Sequence, residues 1–108
     1  MTVNEAIDKL GLKVLCLSDG DREISGGYCG DLLSWVMGRA DADQAWITIM
    51  SNVNIIAVST LIDPACIILT EGVSPDEGVL EKARECEINI LSTDMTAFEA
   101  AGKLYSMI

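Results

Sequence analysis

Apolar residues occur along the chain in two alternating patterns, which predict its strands and helices. Unbroken apolar runs predict strands that are buried on both faces at Leu12–Leu17, Ala45–Met50, Ala65–Leu69 and Ile88–Leu91. A further strand is indicated from Arg22 to Cys29, where paired glycines suggest a bulge or close backbone packing. Segments with helical spacing separate and flank these runs.

Turn and capping residues predict where the helices begin and end. Thr2 and Glu5 form a capping box at the start of the first helix, and Gly11 ends it. The sequence Ser74-Pro75-Asp76-Glu77, with a Ser cap and Pro at the first helical position, indicates the start of the fourth helix. The other three helices are predicted to begin behind capping side chains at Asp31, at Ser51-Asn52 and at Ser92-Thr93-Asp94.

Three of these helices have further features. The second, Leu32–Met37, is expected to end at Gly38. The third, Val53–Leu61, is apolar nearly all round and should be covered on more than one side. The last helix carries its apolar residues on one side, at Phe98, Ala101, Leu104 and Tyr105.

The order of the elements predicts the fold class. From Ala45 onward, strand and helix alternate three times, and right-handed crossovers then give a parallel core. The first two strands lie close together in sequence and are expected to pair antiparallel. The sequence therefore predicts an α/β fold with three layers, in which a mixed, mostly parallel sheet of about five strands is flanked by helices. Residues 1–108 form a single domain.

Composition narrows the classes of partner. The hydrophobic fraction is 50%, more than so small a core hides, so we expect a homodimer or other homo-oligomer with an apolar interface. The net charge is −10, and the 7 basic residues are spread along the chain, which disfavours nucleic acid. A basic partner protein stays open, as does a small metabolite.

The residues that would carry catalysis or metal binding are few. Four cysteines form no C-x-x-C pair and histidine is absent, so we expect no zinc site, no cofactor and no Ser-His-Asp or Cys-His arrangement. Cys16, Cys29 and Cys66 lie among apolar neighbours and are interpreted as buried free thiols. The N-terminus lacks a signal peptide and no apolar run would span a bilayer, so a reduced, cytoplasmic protein without a membrane partner is expected.

Side chains that can bind a ligand are concentrated between Asp21 and Asp31. Arg22 is a permanently charged donor, and three glycines in five residues allow a positive φ or a close approach. Arg22 has two possible roles. It could hold a carboxylate or phosphate in a bidentate contact, or pair with Asp21, Asp31 or Asp19 and fix the loop as a structural latch. The candidate ligand-binding residues here are Asp21, Arg22, Ser25, Gly26, Gly27 and Asp31.

A second candidate region lies beyond the carboxyl ends of the parallel strands, where open α/β sheets bind ligands. It comprises the loops Met50-Ser51-Asn52, Thr70-Glu71-Gly72 and Ser92-Thr93-Asp94. Each precedes a helix N-terminus that favours anions, although Glu71 and Asp94 add negative charge and no nucleotide-binding fingerprint is present. Ser51 and Asn52 join the candidate ligand-binding residues, with ordinary helix capping as their alternative role.

Residues 21–27, Asp-Arg-Glu-Ile-Ser-Gly-Gly, followed by Tyr28 to Ser34, resemble the signature of the DRTGG domain family. The strand Ala45–Ile49 and the segment Thr93–Phe98 extend the resemblance over essentially the whole chain. One departure lies in the motif, because Glu23-Ile24-Ser25 stands where the family name has a single threonine. Ser25 keeps a hydroxyl group before the glycines.

The resemblance implies an α/β fold similar to the N-terminal domain of HPr kinase/phosphorylase. Such domains also occur in some phosphate acetyltransferases and beside CBS domains, where they are accessory modules. It therefore implies a non-catalytic regulatory domain that binds a small ligand, anionic or nucleotide-like, or a partner protein as a homo-oligomer. The alternatives are a purely structural dimerisation or docking module and, with least support, an enzyme acting on a phosphorylated or acyl substrate.

Overall fold

A computed structural model describes all 108 residues, and the chain forms five helices and five strands. The helices are α1 (Val3–Leu10), α2 (Leu33–Arg39), α3 (Asn54–Ile62), α4 (Val79–Glu85) and α5 (Ala97–Tyr105). The strands are β1 (Lys13–Cys16), β2 (Gly26–Cys29), β3 (Gln44–Thr48), β4 (Cys66–Leu69) and β5 (Ile90–Ser92). None of the helices has the length and apolar character needed to cross a membrane.

The strands form one sheet in the order β1-β5-β4-β3-β2. Strands β2, β3, β4 and β5 run parallel to one another, and β1 pairs antiparallel with β5. This confirms the predicted α/β fold with a mixed, mostly parallel sheet flanked by helices.

The expected pairing of the first two strands is wrong, because β1 and β2 form opposite edges of the sheet. The segment that joins them bonds to the N-terminus instead of forming a hairpin. The amides of Val3 and Asn4 donate to the carbonyls of Arg22 and Gly20 at 2.9 and 2.8 Å, and Ile24 N donates to Met1 O at 2.8 Å. These hydrogen bonds hold the connecting segment in place as it runs from one edge of the sheet to the other.

Helices cover both faces of the sheet, and each face has its own core. One core, which includes Trp46, Val36, Ile55 and Val79, lies between the sheet and α2, α3 and α4. The other, which includes Ile47, lies between the sheet and α1 and α5. Both cores form because successive side chains of β3 point to opposite faces. Helix α3 packs against α2 and α4 as well as the sheet, so it is covered on more than one side, although Leu61 is 72% exposed. Its buried apolar residues are Ile55, Ile56, Val58 and Ile62.

The first helix begins and ends as the sequence predicts. Thr2 Oγ1 accepts from the Glu5 amide at 3.1 Å, the Glu5 carboxylate accepts from the Thr2 amide at 3.2 Å, and Gly11 ends α1 at φ 64°. These hydrogen bonds to Thr2 lower the pKa of the Glu5 carboxyl below its usual value.

Three other predicted helix starts are wrong. Helix α4 begins at Val79 after Gly78, rather than behind Ser74. Helix α5 is capped by Thr96 with Glu99, rather than by residues 92–94. Asp31 does not cap α2, because its carboxylate binds another strand. Gly38 lies inside that helix rather than ending it.

Three residues that the sequence assigned to the apolar side of the last helix or to apolar surroundings are exposed. Phe98 and Tyr105 on α5 are 88% and 83% exposed, although Leu104 on the same helix is buried. Cys29 is exposed, whereas Cys16 and Cys66 are buried as predicted. The reason for the exposed thiol is that β2 is an edge strand, with a neighbouring strand on one side only.

Candidate functional site

Arg22 forms ion pairs within its own chain. Its Nε and Nη2 atoms donate to Asp43 Oδ1 at 3.1 and 2.9 Å, and Nη1 donates to Asp63 Oδ1 at 2.9 Å. Nη2 also donates to the Asp63 carbonyl at 2.6 Å. These partners differ from the nearby acids suggested by the sequence. These contacts of Arg22 tie together the segments that lead into β2, β3 and β4.

The electrostatics of the Arg22 latch agree with this geometry. Burial lowers the pKa of the guanidinium, but hydrogen bonds and Coulombic attraction from Asp63 and Asp43 outweigh it and leave the pKa raised. Arg22 also borders a cavity of about 250 Å³, which Asp19, Asp63 and Glu87 help to line. Three carboxylates line this cavity, and four of the five N–H donors of Arg22 already bind Asp43 and Asp63, so the cavity does not suit an anion.

The residues near Arg22 are held by local contacts. Asp21 accepts from Asn4 Nδ2 at 3.4 Å, and the Ser25 hydroxyl donates to the Ala42 carbonyl at 3.5 Å. Gly26 and Gly27 start β2 in regular register with β3, with neither a bulge nor a positive φ. A Cβ at Gly27 would meet only ordinary contacts, with Leu104 at 3.6 Å. The local fold therefore does not require glycine at either position.

Asp31 lies at the other end of β2 and ties together two strand ends. Its Oδ1 atom accepts from Thr48 Oγ1 at 2.8 Å and from the Ile49 amide at 3.0 Å. Burial raises the pKa of the nearby Cys29 thiol, and the Asp31 carboxylate raises it further. In the core, burial raises the pKa of the Cys66 thiol to about 12.

Ser51 and Asn52 follow β3 at the same carboxyl edge of the sheet. Ser51 Oγ donates to Asp76 Oδ1 at 3.1 Å, and Asn52 Oδ1 accepts from the Asn54 amide at 2.9 Å. Asn52 thus supplies a capping oxygen at the start of α3, where the N-cap residue is Val53. The Ser51 contact holds the segment before α4 against the β3 loop.

The predicted site residues therefore form two separate groups. Those from Asp21 to Gly27 lie at the amino ends of the parallel strands, and Asp31, Ser51 and Asn52 lie beyond the carboxyl ends. Nowhere in the chain do three Cys, Asp or Glu side chains converge so that they could hold a metal ion. Whether either group contacts a ligand stays a prediction.

The largest cavity lies at the carboxyl edge and contains residues that the sequence did not single out as a site. It has a volume of about 520 Å³ and lies between the turn after α1, the loop after β4 and the loop after β5. Lys13 reaches this edge because β1 is antiparallel to β5, so the first residue of β1 pairs with Ser92, the last of β5. Its polar and charged lining consists of Lys13, Lys103, Ser74, Ser92, Thr93 and Asp94.

The two lysines of this crevice have no carboxylate partner. Lys9 and Lys82 pair with Glu5 and Glu85 at 3.9 and 3.6 Å, but neither Lys13 nor Lys103 forms an ion pair. In a chain of net charge −10, two unpaired cations thus face one cavity that contains a single acid, Asp94. The residues are 90 positions apart in sequence, and only the pairing of β1 with β5 would have predicted that they meet.

The fold and these cavities define a class of protein: a small α/β domain with a polar crevice at the carboxyl edge of its sheet. The family model of the DRTGG domain matches residues 33–107, and this chain belongs to the DRTGG domain family. The resemblance seen in the sequence is thereby confirmed. The motif at 21–27 lies outside the matched residues, whereas Ala45–Ile49 and Thr93–Phe98 lie within them.

A solved structure has the same fold. It is the regulatory region of Clostridium perfringens pyrophosphatase, with CBS and DRTGG domains, in complex with its activator diadenosine tetraphosphate. The TM-score is 0.71 and the sequence identity 15%, over 97% of this chain and 46% of that chain. This chain thus spans less than half of that protein, and the likeness concerns the fold alone. No curated protein sequence matches.

Proposed function

We propose that this chain is a non-catalytic regulatory domain that binds a small anionic ligand in the carboxyl-edge crevice. The observation that carries the proposal is the pair of lysines, Lys13 and Lys103, that face one cavity of about 520 Å³ without a carboxylate partner. Pockets of roughly 300–1,000 Å³ suit small ligands. The expected partner of the domain is a second copy of itself.

The chemistry of the crevice favours a phosphate-bearing or carboxylate ligand. An ammonium group attracts an anion most strongly where no other anion neutralises it, and hydroxyl groups from Ser74, Ser92 and Thr93 can donate to its oxygens. The position agrees with the general rule for open α/β sheets, whose ligands lie beyond the carboxyl ends of the strands. Asp94 is expected to limit affinity for highly charged ligands.

The arrangement of the reactive side chains supports regulation over catalysis. In a chain without histidine, catalysis would have to rest on Asp21, Ser25 and Asp31, and these residues lie at two ends of β2. The pyrophosphatase region with the same fold is regulatory and binds an activator. We propose a regulatory role of the same kind for this chain. Because the two sequences are only 15% identical, its ligand pocket need not be the one used in the pyrophosphatase.

Arg22 is the second candidate contact for the ligand, after the two crevice lysines. Its donors are occupied by Asp43 and Asp63, so a ligand would have to displace one of these acids to reach the guanidinium. We propose that Arg22 acts mainly as a latch. If Arg22 itself bound the ligand, its replacement would weaken binding while the crevice lysines would not matter.

Calorimetric titration of the full chain with inorganic tripolyphosphate and with ATP tests the proposal, with adenosine as the uncharged comparison. Lys13→Gln and Lys103→Gln should each weaken binding of both anions about fivefold or more, which is the loss of one charge–charge contact. The matched control is Lys82→Gln on α4, which lies outside the crevice and should bind as the wild type does.

Three outcomes would overturn the proposal. Absence of binding by either anion would leave a purely structural module. Binding that depends on Arg22 but on neither lysine would move the site to the amino edge of the sheet. Release of orthophosphate from ATP that Asp31→Asn abolishes would make the protein an enzyme.

A further inference from the structure

The two edges of the sheet differ in how they are protected. Strand β1 carries Lys13, and its register with β5 is irregular between Val14 and Cys16. A lysine and an irregular register are two devices that stop an edge strand from pairing with another chain. Strand β2, at the opposite edge, has a regular register with β3 and the sequence Gly-Gly-Tyr-Cys, without charge, proline or bulge.

The glycines of β2 make this edge accessible. Neither has a positive φ, and a Cβ at Gly26 would meet only the Gln44 side chain at 3.9 Å. Glycines in a strand that its own fold does not require often mark a place where another backbone approaches. Gly27 and Cys29 are exposed although α5 lies over this part of the sheet.

Exposed apolar side chains flank β2 on both faces of the sheet. On one face, α5 exposes Phe98 and Tyr105, which lie two turns apart on the same side of the helix. On the other face, α2 is the outermost helix of its layer, and Trp35 and the adjoining Leu32 are 53% and 60% exposed. The Arg39 guanidinium lies over one side of the Trp35 ring, 3.8 Å from its centroid. The outer edge of β2 thus lies between two helices that expose large side chains.

A shallow recess of about 120 Å³ adjoins the same edge. Six of its seven lining residues are apolar and none is charged: Gly27, Cys29, Ile47, Ala101, Leu104, Tyr105 and Ile108. A projecting aromatic side chain, Tyr105, and a recess therefore occur on one surface. A surface with both features can be complementary to itself across a two-fold axis.

We propose that the β2 edge is the interface of a homodimer, in which β2 pairs antiparallel with β2 of a second copy. The occupant is a second copy because the projection and the recess belong to one surface. The recess also has no acidic side chain that would add to the repulsion between two chains of net charge −10. Pairing would extend the sheet across both chains and cover the exposed side chains of α5 and α2.

A dimer interface would occupy a modest share of the surface of this chain. A standard interface buries about 800 Å² on each partner, about one seventh of the 5610 Å² that this chain exposes. Phe98 and Tyr105 would each contribute on the order of 150 Å². The β2 edge, with its two flanking helices, is the one edge of the sheet that offers such an apolar area without a charged strand.

Sedimentation equilibrium of the full chain at micromolar concentrations tests the interface. The wild type should be a dimer, and Cys29→Lys and Tyr105→Ser should each raise the dissociation constant about tenfold or more, because one buries a charge and the other removes an anchor. Val14→Lys on the β1 edge, where Val14 is 43% exposed, is the matched control and should leave the dimer intact.

Hydrogen exchange gives a readout that needs no variant. The amides of β2 should exchange more slowly in the dimer than in dilute, monomeric protein, whereas amides of β1 should not change. A wild-type monomer at all these concentrations would overturn the proposal, as would a dimer that both variants leave intact. Binding of tripolyphosphate to the same variants should be unchanged, so failure of the interface and failure of the crevice are told apart.

Discussion

The Arg22 guanidinium binds acids of its own chain, although its chemistry would also suit an anionic ligand. Its two acidic partners, Asp43 and Asp63, both adopt left-handed backbone conformations, at φ 66° and 54°. Asp tolerates this region better than most residues, but it still carries a conformational cost. The Asp63 carbonyl also accepts from the Asp43 amide at 3.0 Å. The guanidinium thus stabilises two unfavourable turns and the contact between them.

Arg22→Ala should lower the free energy of unfolding by about 1–3 kcal/mol, because it removes charge-assisted hydrogen bonds from a side chain that is only 24% exposed. Urea denaturation followed by tryptophan fluorescence measures the loss. Arg84→Ala on α4, where the arginine forms no ion pair, is the matched control and should stay within about 0.5 kcal/mol of the wild type. Equal stability of the two variants would contradict the latch.

The helices of this chain begin where backbone amides find an oxygen, which is not always where a capping sequence occurs. Thr96 Oγ1 accepts from the Glu99 amide at 3.1 Å, and the Glu99 carboxylate accepts from the Thr96 amide at 3.4 Å. Ser74 heads an equally good capping sequence, but the Asp76 amide donates to the Ser51 carbonyl at 2.9 Å. That tertiary hydrogen bond keeps residues 74–77 out of α4.

Thr96→Ala should therefore lower the free energy of unfolding by about 1 kcal/mol, the usual loss for a removed N-cap. Ser74→Ala should have almost no effect on stability, although it removes a hydroxyl group from the crevice. Thermal and urea denaturation of the two variants provide the comparison. A larger loss for Ser74→Ala would mean that the sequence-based helix start is populated after all.

Electrostatic interactions act in opposite directions on the two proposed binding events, because the net charge opposes dimer formation and the local charge of the crevice favours an anion. Seventeen acidic residues against 7 basic ones give a net charge of −10, so two copies repel each other as they approach. The crevice instead attracts anions through Lys13 and Lys103. Dissolved salt screens both interactions, over a distance that shortens from about 30 Å at 0.01 M to about 10 Å at 0.1 M.

Raising NaCl from about 0.05 to about 0.5 M should tighten the dimer about threefold or more and weaken tripolyphosphate binding by at least that factor. Sedimentation equilibrium and calorimetry at the two salt concentrations measure the two constants. If both constants moved in the same direction, the assignment of an uncharged interface and a cationic crevice would be contradicted.

The candidate site was less predictable than the fold, for reasons visible in particular residues. The sequence indicated the carboxyl-edge loops, including residues 92–94, because each follows a buried apolar run. It did not indicate Lys13 or Lys103 as part of a site, because the two lysines line one cavity only when β1 pairs with β5. The stretch around Arg22 is rich in glycine and charged residues, yet the partners of Arg22, Asp43 and Asp63, lie 21 and 41 positions away.

Local chemistry in the sequence was enough to establish the alternating strands and helices, the α/β class, the family and the cap of α1. Each of these depends on spacing and on contacts within a few residues, which any sequence displays. Only the folded chain shows which strands form the edges of the sheet and which acids bind Arg22. The same holds for the exposure of Phe98 and Tyr105 and for the cationic crevice. They depend on pairings between distant segments, which are set by competition among many weak contacts that a linear pattern does not rank.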